Sequence, residues 1–380
     1  MRAGLLLAAV TLSPVLAQAA PDPVPAHPAR PVDVVLCLDT SNSMDGLIDS
    51  AKLRLWAVVN DLAKMQPAPA LRVGLYTYGN NTYDRARGWV RKEVDLTTDL
   101  DEVYKRVHAL RCAAPGSDEY VARVTRDALA ELKWADGKDA LRLVFVCGNE
   151  PVDQDREVSL ETVADRAKAQ GVVINTIYCG SANHPEAAGW SAFAARCGGK
   201  FAVIDQDRAR AEVVIKTPFD AEIEKLGAKV NETYLWYGLR GEAGRANQLA
   251  QDKNAASAAG GVAAERGVTK ASRLYRNAEA DLIDRMQSEK DFDLKKIKEA
   301  DLPEELKKLK PEEREAHVKK KAEERAEIQK KIADLGARRA KYIEDEKKKQ
   351  PKPAAEKALD EALRAIIRDQ AATKGMKVKE

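Results

Sequence analysis

Short apolar runs alternate with helically periodic segments over the first 216 residues. The run 32–38 is apolar at nearly every position, which predicts a strand buried on both faces. In 47–62, apolar residues recur every three or four positions, which predicts a helix with one buried face. The same criteria predict strands at 71–78, 89–96, 141–147, 172–178 and 200–204, and helices at 100–110, 118–132, 160–170, 190–197 and 207–216.

This alternation predicts an α/β fold with a doubly wound, mainly parallel sheet covered by helices on both faces. The strand at 89–96 is expected to pair back on 71–78 as a hairpin, because a Gly-Asn-Asn turn follows 71–78. We place this α/β domain at 31–216. An α-helical, partly coiled-coil C-terminal region is expected to follow it.

A hexapeptide, Asp-Thr-Ser-Asn-Ser-Met at 39–44, joins the first strand to the first helix. Asp39, Ser41 and Ser43 therefore lie at the carboxyl edge of a central strand, where open α/β sheets bind ligands. One carboxylate and two hydroxyls form a set of hard oxygen ligands suited to Mg²⁺ or Mn²⁺. The alternative is that Asp39 or Ser41 only caps the helix.

Asp-x-Ser-x-Ser after a buried strand resembles the metal-ion-dependent adhesion site (MIDAS) of von Willebrand factor type A (VWA) domains, and the order of elements is similar over about 31–216. The resemblance implies a binding protein rather than an enzyme. It implies a weakly held Mg²⁺ or Mn²⁺ with open coordination positions. A carboxylate from a protein partner would complete the shell of that cation.

Two further loops at this edge bear on the metal site. In the family a second loop supplies an oxygen ligand, and the matching stretch 115–119 offers Ser117 or Asp118, although these residues equally suit the start of a helix. The family's third loop usually carries Asp-Gly. Here Gly148 and Asn149 stand in that place, so the resemblance implies weak metal binding.

The N-terminal segment 1–20 has the features of a secretory signal peptide. Arg2 precedes an apolar stretch too short to span a bilayer, and Ala-Gln-Ala at 17–19 is a small-x-small cleavage site. A proline-rich linker follows at 21–30. We expect an exported protein, periplasmic or secreted, without a transmembrane anchor.

Five cysteines all fall in the first 200 residues. An exported protein can form disulfides, but an odd number leaves at least one thiol unpaired in a monomer. Cys37 and Cys147 lie within predicted strands and suit small core residues. Cys179 and Cys197 flank one predicted helix, and we predict this pair as the disulfide.

Beyond 217 the composition changes. Residues 217–290 are predicted to be largely helical, with a break at 238–244 and another at 260–261. An aromatic cluster at 234–237, formed by Tyr234, Trp236 and Tyr237, is expected to pack on the α/β domain.

A charged helix is predicted at 291–350, where Lys, Glu and Arg dominate. A heptad-like spacing of apolar residues indicates local coiled coil, although Lys321, Arg325 and Arg339 interrupt it. The alternative is a solvated helix held by Glu–Lys pairs. The segment 351–380 is predicted to end the chain with an amphipathic helix that docks on a neighbouring element.

Net charge is +3, with 63 basic and 60 acidic residues, so charge gives no reason to expect a nucleic-acid partner. The chain has no Gly-x-Ser-x-Gly, His-Glu-x-x-His or P-loop motif. Three functions stay open. The first is metal-dependent binding of a protein partner. The second is a metal-free scaffold whose helical tail makes the contacts. The third, more remote, is a hydrolase of unknown type.

Overall fold

The computed structural model describes six segments of the chain: 29–113, 116–204, 215–258, 260–289, 291–349 and 358–378. The predicted signal peptide lies outside these segments, as does nearly all of the proline-rich linker and of the predicted helix at 207–216. Within the described segments, no helix combines the length and apolar character needed to cross a membrane.

A mainly parallel sheet confirms the predicted α/β class. The described strands form a six-stranded sheet in the order β4-β3-β1-β5-β6-β7, where β4 is antiparallel to β3 and the other neighbours are parallel. A short strand, β2, lies outside this sheet. The bounds are β1 Arg30–Asp39, β2 Met65–Gln66, β3 Pro69–Tyr78, β4 Arg91–Thr97, β5 Leu141–Gly148, β6 Val173–Cys179 and β7 Phe201–Ile204.

Helices cover both faces of the sheet. Side chains of β1 alternate between two apolar cores, because successive residues of a strand point to opposite faces. One core lies under α1 and α2, and the other lies under α3, α4 and α5. The bounds are α1 Asp45–Ala63, α2 Leu100–Ala109, α3 Val121–Glu131, α4 Leu160–Gln170 and α5 Pro185–Arg196.

Two of these helices begin elsewhere than predicted. α5 begins five residues before the predicted start at Trp190, because Pro185 occupies its first turn and His184 caps it. α3 begins at Val121 rather than at 118. Residues 118–120 instead form a non-helical lead-in that carries a side chain of the candidate site.

The segment after residue 215 is helical, as predicted. Its described helices are α6 Asp220–Asn231, α7 Gly238–Ser257, α8 Val262–Ala271, α9 Leu282–Ser288, α10 Glu304–Lys307 and α11 Pro311–Lys349. The predicted break at 238–244 is wrong, because α7 runs through it. A Cβ on Gly241 or Gly244 would lie 3.0 Å from Trp236, so these glycines allow α7 to pack closely on that residue.

The aromatic cluster does not pack on the α/β domain as predicted. Tyr234 stacks on Trp236 with ring centroids 4.9 Å apart, inside a core formed by α6, α8 and α11. Tyr237 belongs to a neighbouring core with Leu282 and Val318. These rings stabilise the helical region itself.

One side of α11 packs on other helices of the same chain. Ile328 and Ile332 enter the core with α6 and α8, and Val318 enters the neighbouring core. Arg325 and Arg339, which interrupt the heptad pattern, are only 2% and 5% exposed. Arg325 forms an ion pair with the buried Asp281, and Arg339 forms one with the partly buried Asp220. The apolar spacing therefore describes a helix packed on a helical bundle of its own chain.

The last helix, α12 Leu359–Thr373, returns to the α/β domain and packs on α1 and β7. Its apolar face is part of the same core as β1 and α1. Gln370 donates to Asn175 Oδ1 at 2.6 Å, and Arg368 pairs with Asp61. A short strand, β8 Lys377–Val378, then pairs with β2. One face of the sheet is thus covered by a segment that lies beyond the 31–216 stretch.

All five cysteines lie in described segments and are free thiols, so the predicted Cys179–Cys197 disulfide is wrong. Cys179 belongs to the core under α1, and Cys197 belongs to the core on the opposite face of the sheet. The sheet therefore separates the two sulfur atoms. Cys37 and Cys147 are fully buried core residues, as their positions in apolar strands indicate.

Candidate functional site

The first loop, residues 40–44, is tied tightly to the carboxyl edge of the sheet. Asp39 ends β1 and is fully buried. The Ser41 backbone N–H donates to Asp39 Oδ1 at 2.7 Å, and the Thr40 N–H donates to the carbonyl of Tyr78 on β3 at 2.9 Å. Since these hydrogen bonds tie the loop to β1 and β3, the Asp39 carboxyl group has a fixed position.

The second loop, residues 116–120, brings a second carboxyl group to Asp39. This group belongs to Glu119, which is only 9% exposed and directly precedes α3. Gly79, at the end of β3, lies against both side chains, because a Cβ there would be 2.8 Å from Asp39 Oδ1 and from Glu119 Cγ. Two acidic side chains distant in the sequence therefore share one buried position.

The electrostatics of this pair are unfavourable without a cation. Burial raises the pKa of Asp39 well above its usual value, and the charge of Glu119 raises it further. Burial also raises the pKa of Glu119, and the carboxylates of Glu150 and Asp118 add to that shift. Burial is the largest cause of both shifts, so each carboxylate is costly at this position unless a cation is present.

Three buried oxygen atoms at this position have no hydrogen-bond partner among the described residues: Asp39 Oδ2, Ser41 Oγ and Glu119 Oε2. Unsatisfied buried oxygen atoms are rare in folded proteins and often mark a site for an ion or a water molecule. All three are hard oxygen donors, which suits Mg²⁺ or Mn²⁺. The donor set therefore fits the cation that the sequence predicts.

The other residues predicted for the site differ in position. Ser43 is exposed, and its Oγ accepts a hydrogen bond from Asn149 Nδ2 at 3.1 Å, so the first and third loops meet there. The Ser117 hydroxyl donates to the Gly79 carbonyl at 2.7 Å. Asp118 is exposed and accepts a hydrogen bond from the Tyr120 hydroxyl at 2.9 Å. The structure thus brings Glu119 to Asp39 and turns Asp118 outward.

The third loop, which follows β5, has no room for a side chain at its first position. A Cβ on Gly148 would collide with the Tyr78 hydroxyl group and would lie 3.3 Å from Asp39 Oδ2. Tyr78 is fully buried, and its hydroxyl donates to the Cys147 carbonyl at 2.8 Å. The tyrosine therefore occupies the space that a carboxylate at 148 would need.

No group of three or more His, Cys, Asp or Glu side chains forms a metal cluster in the parts of the chain that the structure describes. A cation at Asp39 would therefore rely on hydroxyl oxygens in addition to the two carboxyl groups. Such a site is a hard-ion site rather than a zinc-type site with nitrogen and sulfur ligands.

The thiols near this edge are poor nucleophiles. Burial raises the pKa of both Cys147 and Cys179, and a thiol that stays protonated reacts slowly. His184 is exposed and accepts a hydrogen bond from the Glu186 backbone N–H as the cap of α5. These positions give the remote hydrolase alternative no support.

The sequence predicts Asp39, Ser41 and Ser43 for the site but does not point to Glu119, Gly79 or Tyr78, which lie beside Asp39 in the structure. An acidic residue beside Ser117 and Asp118 was visible in the second loop. Its sequence position suggested only a helix start, because nothing local shows which of three successive polar side chains turns inward.

Comparisons with known proteins address the family. The model of the von Willebrand factor type A domain matches residues 33–208. No curated protein matches the chain.

Several solved structures share similarity with part of the chain. The SpRpn10 VWA domain is 17% identical, covering 45% of this chain and 87% of that chain at a TM-score of 0.34. An aerotolerance-related membrane protein from Bacteroides fragilis is 13% identical, covering 47% and 95% at a TM-score of 0.33. Proximal thread matrix protein 1 from the mussel byssus, with a zinc-occupied MIDAS motif, is 14% identical at a TM-score of 0.35; the match covers 48% of this chain and 44% of that protein.

Proposed function

Residues 33–208 form a von Willebrand factor type A domain, and from that premise we propose that the protein is an exported, cation-dependent protein-binding module. Its binding surface is the carboxyl edge of the sheet at Asp39, Ser41 and Ser43. Mg²⁺ or Mn²⁺ is the proposed cation. The observation that carries the proposal is the set of unpaired buried oxygen atoms that meet at Asp39.

Each residue has a distinct role in this proposal. Asp39 holds the cation by charge, and its position is fixed by the Ser41 backbone N–H. The Ser41 hydroxyl supplies a neutral oxygen. Ser43 lies further out, where Asn149 orients it. When bound, the cation supplies a positive centre with coordination positions open to a protein partner, whose carboxylate is the proposed completing group.

Export is proposed from the sequence of 1–20, and non-enzymatic function from the roles typical of VWA domains. Intact-mass analysis of the protein recovered outside the cytoplasm tests export, because cleavage after Ala19 or Ala20 removes the apolar stretch 5–10. Retention of that stretch would contradict the proposal.

The second candidate function is a scaffold whose helical tail binds the partner without metal. One observation favours it: Leu239, at the start of α7, is 99% exposed. A partner that covered this side chain would remove its apolar surface from water, which is favourable. The two candidates differ in whether binding requires a cation.

The test titrates Mg²⁺ and Mn²⁺ by calorimetry into the wild-type protein and into Asp39→Ala. Binding heat in the wild type that disappears in the variant is expected. Equal heats in both would overturn the assignment to Asp39. A partner captured from the exported fraction should be lost when chelator is added, whereas capture that persists with chelator but is lost in Leu239→Ser would support the scaffold.

A further inference from the structure

We propose that Glu119 is a direct ligand of the cation at Asp39 and supplies the second carboxylate that the third loop lacks. This inference rests on the proposed function, because both need a cation at this position. It assigns a ligand that the Asp-x-Ser-x-Ser pattern does not contain.

The first argument is the burial of Glu119. An acidic side chain that is 9% exposed normally has a basic partner or several hydrogen-bond donors. Glu119 Oε2 has no hydrogen-bond partner among the described residues, and its neighbours at the site are the acids Asp39, Asp118 and Glu150 and the Ser41 hydroxyl group. A cation between Asp39 and Glu119 would satisfy both carboxylates together.

The second argument is the space that the chain leaves at each loop. Gly79 has φ +68°, and any larger residue there would press on both Asp39 and Glu119. Gly148 and Tyr78 close the position where a third-loop carboxylate would stand. The chain thus admits a carboxyl group from the second loop and excludes one from the third.

The third argument is that the backbone of Glu119 is held in place. Its N–H donates to Gln154 Oε1 at 3.0 Å, and its carbonyl accepts from the Val121 N–H at 3.0 Å. The preceding Ser117 hydroxyl is fixed on the Gly79 carbonyl. A side chain on such a backbone is preorganised, which is what a ligand position needs.

The charge balance between the cation and its two carboxylate ligands determines how a partner's carboxylate would meet the site. Two carboxylates neutralise a divalent cation, so the site can hold its ion before any partner arrives. A partner's carboxylate would then fill an open coordination position on a centre whose charge is already balanced, and it would approach the exposed carboxylates of Asp118 and Glu150. Cation affinity measured on the protein alone is therefore the direct test.

The experiment measures Mn²⁺ affinity by calorimetry on the full chain, comparing wild type, Asp39→Asn, Glu119→Gln and Glu150→Gln. Glu119→Gln keeps shape and removes charge, and we expect at least a tenfold loss of Mn²⁺ affinity, comparable to Asp39→Asn. Glu150→Gln removes the same charge from an exposed neighbour, and we expect a change of about twofold or less.

A second readout guards against a folding defect. With chelator present, Glu119→Gln should melt at or above the wild-type temperature, because it removes one of two buried negative charges. Mn²⁺ should then raise the melting temperature of the wild type and not of the variant. If Glu119→Gln fails to fold, Glu119→Asp, which withdraws the carboxylate by one methylene, should lower the affinity by a measurable factor.

The outcomes separate the two proposals. Wild-type affinity in Glu119→Gln together with lost affinity in Asp39→Asn overturns the role of Glu119 and leaves the proposed function standing. Wild-type affinity in Glu119→Asp overturns it likewise. Absence of Mn²⁺ and Mg²⁺ binding in the wild type overturns both. An equal loss of Mn²⁺ affinity in Glu150→Gln would mean that Glu119 acts only through its negative charge near the site, which would overturn its role as a direct ligand.

Discussion

The α/β domain and the helical region after residue 215 bury different kinds of side chain. In β1, every residue from Val32 onward is buried, and most are apolar. In α11, the buried residues include Arg325 and Arg339 beside the isoleucines. The charged side chains that the α/β domain buries are mostly acids, such as Asp33 and Asp39, whereas the helical region also buries basic side chains. Those basic side chains are Arg266, Lys270, Arg325 and Arg339.

Arg325 shows how the helical region accommodates a charge. Its Nη1 lies 2.8 Å from Asp281 Oδ2 and 3.1 Å from Asp284 Oδ1, and its guanidinium group lies 3.9 Å from the centroid of the Tyr234 ring. Its Nη2 also donates to the Thr233 carbonyl. The buried charge is acceptable only because each of these partners is present.

Buried polar contacts also join the two regions. Arg266 on α8 lies 2.5 Å from Asp101 on α2, and the Tyr275 hydroxyl donates to the same carboxylate. Thr269 donates to Asn60 Oδ1 on α1 at 2.7 Å. The comparison teaches that the charged composition of a segment does not indicate whether the segment is solvated.

The largest expected effect on the free energy of unfolding comes from ending the chain at residue 357, which removes α12 from the apolar core of the sheet. Four large side chains, Leu359, Leu363, Ile366 and Ile367, would be lost from that core. At about 1.5–3 kcal/mol each, the loss is roughly 6–12 kcal/mol, comparable to the stability of a whole domain. We expect no cooperative melt by circular dichroism.

Asp369→Ala on the exposed side of α12 is the control and should melt like the wild type. A truncated chain that melts cooperatively within a few degrees of the full chain would show that the α/β domain folds without α12, as the domain prediction from sequence requires.

Arg325→Ala tests the charged core of the helical region. Removing the arginine leaves Asp281 and Asp284 buried without their basic partner, and we expect a loss of about 3–5 kcal/mol in the free energy of unfolding. Urea denaturation measures it. Lys319→Ala, on an exposed turn of the same helix, should change stability by less than about 0.5 kcal/mol. Equal effects in the two variants would mean that Arg325 is effectively solvated.

Cation binding should stabilise the α/β domain and not the helical region. At a concentration 100-fold above the dissociation constant, Mg²⁺ or Mn²⁺ should add about 2.7 kcal/mol to the free energy of unfolding, and chelator should remove that gain. Native-state hydrogen exchange of β1 and α1 against α11 locates the effect. Protection that rises equally in α11 would show that the two regions unfold as one unit.

The last expected effect is a pH dependence of stability in the helical region. Burial and the charge of Asp281 raise the pKa of Asp284 from its usual 3.8 to about 6. Between these values the folded state holds a proton that the unfolded state has lost, so stability falls as pH rises through 4–6. Arg325 opposes this shift, and the pKa of about 6 already includes the effect of its charge. Asp284→Asn should flatten this segment of the pH profile, whereas an unchanged slope would assign it to other groups.

Local sequence patterns predict most strands and helices of the α/β domain. The strands at 32–38 and 141–147 and the helix at 160–170 were predicted within about two residues of their observed bounds. Continuous apolar runs and helical spacing are local signals, so no tertiary information is needed to interpret them. The first loop could be predicted for the same reason, because Asp39 and Ser41 directly follow such a run.

The helical region was predicted less well because its signals are not local. The break at 238–244 failed because Gly241 and Gly244 serve close packing on Trp236 rather than a turn. Arg325 and Arg339 seemed to interrupt a coiled coil, since a charged residue is normally solvated. The burial of each arginine depends on an acidic partner more than forty residues away in the sequence.

By itself, the sequence determined the order of strands and helices, the edge at which Asp39 lies, and the type of ligand that its oxygens suit. Only the tertiary structure decided that Glu119 rather than Asp118 meets Asp39, that Tyr78 closes the third loop, and that α12 completes the first core. The physical reason is the same in each case. Apolar periodicity follows from neighbouring residues, whereas a charged side chain or a glycine takes its meaning from partners that folding brings together.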